Sequence, residues 1–190
     1  MLSTVAVSVL FVCAGCICRS PMAERLMRAR LAGPAAAVIE AGSAGMRAVT
    51  GYPMDRSCAR ILTELGGVPD GHAARQLDQR LVEFADLVLT ASTEQRGQIM
   101  RCTPSVMRRV FTMREFARLG AALGPLHREI SELVLRERIA KVAAQRGLVK
   151  PAGRGADDIT DPLGAPLPVV RECGEQISAA VDGIIAALGL

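Results

Sequence analysis

Val5-Ala6-Val7-Ser8-Val9-Leu10-Phe11-Val12 runs straight into Cys13-Ala14-Gly15-Cys16-Ile17-Cys18-Arg19-Ser20, and then into Pro21. The first eight residues are almost wholly apolar and rich in Val. That is the composition of a strand covered on both faces of a parallel sheet. The next eight place one Cys, five intervening residues and then Arg-Ser. Ser20 is a good helix N-cap, and Pro21 suits the first helical position. Beyond them Met22, Ala23, Leu26 and Met27 recur at helical spacing up to Gly33-Pro34. A loop between buried strand and helix opens at the carboxyl end of a sheet, where open α/β sheets bind their ligands.

The eight-residue run also carries chemistry. Its backbone N–H groups can converge on one small oxyanion, and the helix N-terminus adds partial positive charge there. The candidate phosphate-binding residues are Ala14, Gly15, Cys16, Ile17, Cys18, Arg19 and Ser20. Arg19 grips two oxygens with a planar fork, and Gly15 permits close backbone approach. The same positive field favours thiolate over thiol at Cys13. Five residues between Cys13 and Arg19 let the loop curl once around a tetrahedral anion, with the sulfur beneath it and the guanidinium at the rim. The Ser20 hydroxyl is placed to donate to a leaving thiolate.

A length of 190 residues predicts a single domain, residues 1–190, with a sizeable core. Half the residues are hydrophobic but only 3% are aromatic, so the core must be built from Ala, Val, Leu, Ile and Met. The net charge is +4, the arginines are scattered among acids, and aromatic platforms are missing. This argues against a nucleic-acid partner. Three of the six cysteines crowd positions 13–18 while Cys58, Cys102 and Cys173 are isolated, the usage of a reducing, cytoplasmic protein. The first sixteen residues resemble a short signal peptide, and Ala14-Gly15-Cys16 a lipidation site. However, no Lys or Arg precedes Arg19 and the apolar run is too short to span a bilayer. A buried first strand and no membrane partner are expected.

The rest of the chain alternates. Strands are expected at 36–41, 85–90 and 107–113, and helices at 57–65, 77–84, 92–102, 115–119, 126–146 and 169–188, with Gly-rich or Pro-rich loops at 42–55 and 149–168. Alternation of this kind predicts a parallel sheet with helices on both faces.

Val9-Leu10-Phe11-Val12-Cys13 through Arg19-Ser20-Pro21-Met22-Ala23-Glu24 resembles the opening of the low-molecular-weight protein tyrosine phosphatases. Ser43-Ala44-Gly45, His72 with Ala74-Arg75-Gln76, Ala85-Asp86-Leu87-Val88-Leu89 and Asp158-Ile159-Thr160-Asp161-Pro162 resemble later segments of that family, in order. The resemblance implies a four-stranded parallel sheet in the order 2-1-3-4. It also implies two-step hydrolysis of a phosphomonoester through a phosphocysteine, without metal or cofactor. Cys13 would then attack phosphorus and Arg19 bind the phosphoryl group, while Asp161 protonates the leaving group and afterwards activates water. Asp157 and Asp158 compete with Asp161 for that role, their simpler reading being solvated loop charge. The substrate would be a phosphorylated protein or a small phosphomonoester, and the product inorganic phosphate.

Ser20, Ser43 and His72 are candidates to brace the loop. Cys18, and secondarily Cys16, are candidate redox partners of Cys13. A metal cage of Cys13, Cys16 and Cys18, with only His72 and His127 to complete it, is a poor fit to tetrahedral zinc. The chain also departs from the family. Cys16 stands where an Asn usually braces the loop, and a thiol is a weak hydrogen-bonding group. The site entrance has aliphatic Val49 and Leu163 with Tyr52 nearby, so stacking on a phosphotyrosine ring would be weak. The charged stretch at 120–155 reads as a helical insertion, either a solvated helix or a lid. Two other functions use the same features. An arsenate reductase on this fold would need resolving thiols, for which a downstream cysteine pair is missing. A phospho-ligand-binding protein would have lost turnover through Cys16.

Overall fold

β1 (Val7–Cys13) occupies the middle of the sheet, and its alternating side chains enter two different cores. Val7, Val9, Phe11 and Cys13 face one, while Leu10 and Val12 face the other. Burial on both faces explains why the strand reads as an unbroken apolar run rather than an alternating one. The computed structural model describes residues 6–126 and 129–190, so the expected strand residue Val5 lies outside the described residues.

β2 (Ile39–Gly45), β3 (Leu87–Thr90) and β4 (Val110–Thr112) join β1 in a four-stranded parallel sheet of order β2-β1-β3-β4. α1 (Arg19–Arg30), α3 (Arg56–Glu64), α6 (Met113–Gly120) and α8 (Leu167–Leu188) pack over one face around Phe11, Met22, Leu26, Phe116 and Ile177. α4 (Gln79–Phe84) and α5 (Thr93–Cys102) cover the other face around Val12, Val82 and Ile99. Three of the four Phe of the chain, Phe11, Phe111 and Phe116, are fully buried in the larger core, and aliphatic side chains and Met fill the rest.

β2 differs from its expected place. Positions 36–38 belong to a short helix, α2 (Gly33–Val38), and the strand begins at Ile39. Pro34 opens that helix, and consecutive alanines favour helix over strand. Gly42 to Gly45, expected as loop, continue the strand, with Cys13 opposite Gly45. Elsewhere capping sets the boundaries. Asp78 caps α4 at Leu81 N (2.8 Å), so that helix starts later than expected. Thr112 and Glu115 form a reciprocal capping box (3.0 and 3.2 Å), which ends β4 early and starts α6 at Met113.

α7 (Glu132–Ala144) is shorter than the helix expected at 126–146, whose residues 127 and 128 lie outside the described residues. Ser131 caps it. It is not a solvated helix. Leu135, Ile139 and Val142 are buried in the larger core. Arg138 is buried too, and its Nε donates to the Ala187 carbonyl at 2.7 Å. Just beyond the helix, Arg146 lies 3.9 Å over the Phe111 ring and donates to Glu115. Gly120 lets α6 and α8 touch, because a Cβ there would sit 2.1 Å from that of Ala187.

Candidate active site

The loop from Cys13 to Cys18 is held from outside by its carbonyls. Met46 N donates to Cys13 O (2.9 Å), Arg47 N to Ala14 O (2.9 Å), Val49 N to Gly15 O (3.1 Å) and Asp55 N to Ile17 O (2.8 Å). His72 Nε2 meets Cys16 O at 2.7 Å, and Met22 N donates to Cys18 O at 3.1 Å. In a trans peptide the C=O and the following N–H point in opposite directions. Six carbonyls turned out therefore leave the amides of residues 14–19 turned in. The loop thus has the shape of a ring of inward amides, with its curvature imposed by β2, α1 and the segment 46–55.

Cys13 sits at the base of this ring. Its Sγ is 3.0 Å from Ser20 Oγ, and Ser20 Oγ also reaches Ala44 O at 3.3 Å. Burial pushes the Cys13 thiol above its ordinary value. The Ser20 hydroxyl, the amides of Ser20 and Cys16 and the Arg19 charge pull it down, but do not outweigh burial. The expected bias toward thiolate at Cys13 is thus present and overcome by desolvation.

Arg19 is buried at the start of α1. It donates through NH1 to Ile159 O (3.1 Å) and forms an ion pair through NH2 with Asp161. Its Nε is buried with no partner. A buried guanidinium N–H left unsatisfied beside a ring of free amides is costly unless something anionic is meant to enter. Asp161 is far less buried than Arg19 and takes a second bond from Leu163 N at 3.3 Å. Its neighbours are spent elsewhere and are not simply solvated. Asp158 accepts from Thr93 N at 2.7 Å, and Asp157 pairs with Arg118 at 2.8 Å. Of the three carboxylates only Asp161 reaches Arg19. Ile159 N docks on Ala91 O (2.8 Å) and anchors this segment to the end of β3.

Behind the cradle, Cys16 adopts φ 57°, the left-handed region that favours Gly or Asn; among the described residues no other side-chain-bearing residue does so. Its Sγ lies 3.7 Å from Ser43 Oγ, which donates to Glu24. Glu24 pairs with Arg28 (3.1 Å), and Arg75 Nε donates to Ser43 O (2.7 Å). Burial opposes ionisation of the Cys16 thiol, but hydrogen bonds from His72, the Arg75 amide, Ser43 and Ser20 outweigh it and hold the thiol below its ordinary value. Burial likewise opposes a charged His72, but the Cys16 thiol and carbonyl and the charges of Cys16 and Glu24 raise it above 6.5.

The candidates Cys13 to Ser20, Ser43, His72 and Asp161 thus meet at one end of the sheet. The sequence reading assigned no role to Glu24 or Gly45. Glu24 had a visible signal, an acid inside the apolar stripe of α1. Gly45 is there for space, since a Cβ would lie 2.6 Å from Ala14 O and 2.8 Å from Cys16 N. Val49, Tyr52 and Leu163 are exposed.

Comparison with known proteins gives this geometry a family. Residues 8–124 match the family described as low molecular weight phosphotyrosine protein phosphatase. The chain belongs to that family. It is therefore a cysteine-dependent phosphatase. It is 41% identical over 108 residues to the probable low molecular weight protein-tyrosine-phosphatase EpsP of Ralstonia solanacearum, spanning 57% of this chain and 71% of the relative. It is 26% identical over 176 residues to a protein-arginine-phosphatase of Geobacillus stearothermophilus, spanning 92% and 90%. The solved low molecular weight protein tyrosine phosphatase of T. tengcongensis superposes with a TM-score of 0.69 at 27% identity, covering 95% of this chain and 99% of the other. The tyrosine phosphatase AmsI of Erwinia amylovora, at 21% identity and a TM-score of 0.71, covers 100% and 98% and shares the fold. Among the described residues no helix is long and apolar enough to cross a membrane.

Proposed function

We propose that this chain hydrolyses phosphotyrosine-type phosphomonoesters with Cys13 as nucleophile, Arg19 as phosphoryl clamp and Asp161 as general acid and then base. The observation that carries the assignment is the unsatisfied, buried Arg19 Nε beside the inward amides and the Cys13 sulfur. Before substrate binds, Arg19 pairs with Asp161 and burial favours the protonated Cys13 thiol. A bound phosphoryl group competes for the guanidinium and frees the carboxyl group. The Cys13 proton leaves, Asp161 gains one, and the count in the site is unchanged.

Sulfur then attacks phosphorus, the inward amides and Arg19 stabilise the equatorial oxygens, and Asp161 gives its proton to the departing oxygen. In the second step Asp161 takes a proton from water as it attacks the phosphocysteine. The product is inorganic phosphate, and Ser20 supports the leaving thiolate. Ser43 and His72 hold the loop in shape. No cofactor or metal is needed, because every charge is met by these residues. Val49 and Leu163 offer an apolar rim for an aryl ring, with Tyr52 beside them.

We also read residues 1–190 as one catalytic domain into which the 120–155 segment is built, since α7 shares its core. A reducing, cytoplasmic setting and a redox-sensitive site are supported by the crowding of Cys13, Cys16 and Cys18 in one loop while the other three cysteines are isolated in sequence.

The test is hydrolysis of phosphotyrosine and phosphoarginine peptides and of p-nitrophenyl phosphate. Cys13→Ser should fall to background on all three. Asp161→Asn should lose about 10²–10³-fold on phosphotyrosine. It should lose much less on p-nitrophenyl phosphate, whose leaving group needs little protonation. Preference for phosphoarginine, a phosphoramidate rather than an ester, would redirect the substrate class, and undiminished turnover by Cys13→Ser would end the mechanism.

A further inference from the structure

Three more cysteine sulfurs lie at or beneath the loop, and two of them are near neighbours. The Sγ atoms of Cys18 and Cys58 and a carboxylate oxygen of Asp55 lie within 4.8 Å of one another. Cys18 ends the phosphate loop, and Cys58 stands in the first turn of α3. Both are buried free thiols. The two elements are fastened together. Asp55 donates its amide to Ile17 O at 2.8 Å, and its Oδ1 accepts from the amides of Ser57 and Cys58 at 3.0 and 3.1 Å. The neighbouring Cys18 thiol and burial together push the Cys58 thiol far above its ordinary value. Cys173 on α8 lies close enough to feel the charges of both Cys13 and Cys18, and burial pushes it up to about 12. Because Asp55 Oδ1 already holds two cap amides, the available chemistry of the cluster is thiol against thiol.

We propose that Cys58 is the terminal acceptor of oxidation that enters at Cys13, giving a Cys18–Cys58 disulfide. The inference rests on Cys13 being the reactive sulfur of the loop. The oxidant is a hydroperoxide such as hydrogen peroxide. The Cys13 sulfur attacks the peroxide O–O bond, becomes a sulfenic acid and releases water. The Cys18 sulfur displaces the sulfenic hydroxyl, forming the Cys13–Cys18 bond with loss of a second water. The Cys58 sulfur then attacks Cys18. The Cys18–Cys58 bond forms, the Cys13–Cys18 bond breaks, and the electron pair stays on the Cys13 sulfur, which takes the Cys58 proton. The sum is two thiols and one peroxide giving one disulfide and two waters. A bond of about 2.05 Å replaces a contact already within reach. The exchange leaves the oxidised pair in a dry core and returns Cys13 to its thiol.

The test treats the full chain with one equivalent of hydrogen peroxide, blocks free thiols with iodoacetamide and maps disulfides by mass spectrometry without reduction. Trypsin puts Cys13, Cys16 and Cys18 on one peptide ending at Arg19 and Cys58 on Ser57–Arg60, and fragmentation assigns the bonded sulfur. The wild type should end with Cys18 joined to Cys58 and Cys13 alkylated. Cys58→Ala should stop at Cys13–Cys18, and Cys173→Ala should behave as wild type. An end product of Cys13–Cys18 in the wild type overturns the proposal without relying on any variant. So does a Cys18–Cys58 bond that forms as fast in Cys13→Ala. Neither readout depends on turnover, so a failure here is separable from a failure of the phosphatase mechanism, which is scored on aryl phosphate.

Discussion

Gly45→Ala tests whether the sheet edge sets the shape of the anion cradle. The added Cβ would sit 2.6 Å from Ala14 O and 2.8 Å from Cys16 N. Both are backbone atoms of the loop, not ends of flexible side chains. Restoring an ordinary contact of 3.4 Å moves the Ala14 carbonyl by about 0.8 Å and the Cys16 amide by about 0.6 Å. The loop carries its own ligands, so the inward amides move with it. Misplacement of about 1 Å in a reacting site costs about 10²-fold in rate, equivalent to about 2.7 kcal/mol of transition-state stabilisation. Overpacking of this kind costs about 1–3 kcal/mol in folding stability. The assay is kcat/KM on p-nitrophenyl phosphate together with competitive inhibition by inorganic phosphate, on protein shown folded by urea denaturation. Weakened phosphate inhibition should accompany the lost rate, since ground state and transition state use the same amides. Gly153→Ala is the control, because nothing lies within 4 Å of a Cβ there. If Gly45→Ala keeps kcat/KM within twofold of wild type at unchanged phosphate affinity, the loop is not shaped by β2.

Cys16→Asn should relieve the left-handed strain, worth about 1 kcal/mol, and raise both the melting temperature by about 2–4 °C and kcat/KM; a lower melting temperature with unchanged rate would contradict the bracing argument. His72 should titrate above 6.5 by proton NMR, and Cys16→Ala should lower it, because the hydrogen bond and charge of the thiol are then lost while burial remains. Its raised value means that its contribution to stability is complete below pH 6.5 and is lost as pH rises through the folded value, a dependence that urea titrations of His72→Ala should lack. Leu135→Ala should cost about 2–5 kcal/mol while leaving KM unchanged, and a rate or KM effect without destabilisation would restore the lid reading of α7.

Much of the fold was legible because its signals are local. The apolar run at Val5 to Val12 reads as a buried strand at any position in any sheet, and Ser20-Pro21 marks a helix start wherever it occurs. Errors fell where local preference lost to tertiary pairing. Gly42 to Gly45 look like loop by composition, yet they extend β2 because β1 offers partners through Cys13 and small residues leave room for the loop to cross. The alanines at 36–38 went to helix because Pro34 begins one and no strand register claims them. The charged face of α7 reads as solvated from its sequence, but Arg138 and Arg146 are fed backbone carbonyls and an aromatic face that no neighbour in sequence reveals.

The sequence by itself determined the strand, the turn and the helix that bracket Cys13, and the residue types able to bind and attack a tetrahedral anion. Hydrophobic period, cap chemistry and the five-residue spacing are properties of a short stretch of chain. Packing between distant segments settled which carboxylate reaches Arg19, why Gly45 can have no side chain, how deeply the Cys13 sulfur is desolvated, and that Cys58 is a neighbour of Cys18. Those are distances between segments 27 to 142 residues apart, and they are fixed by packing and by where each buried polar group finds a partner.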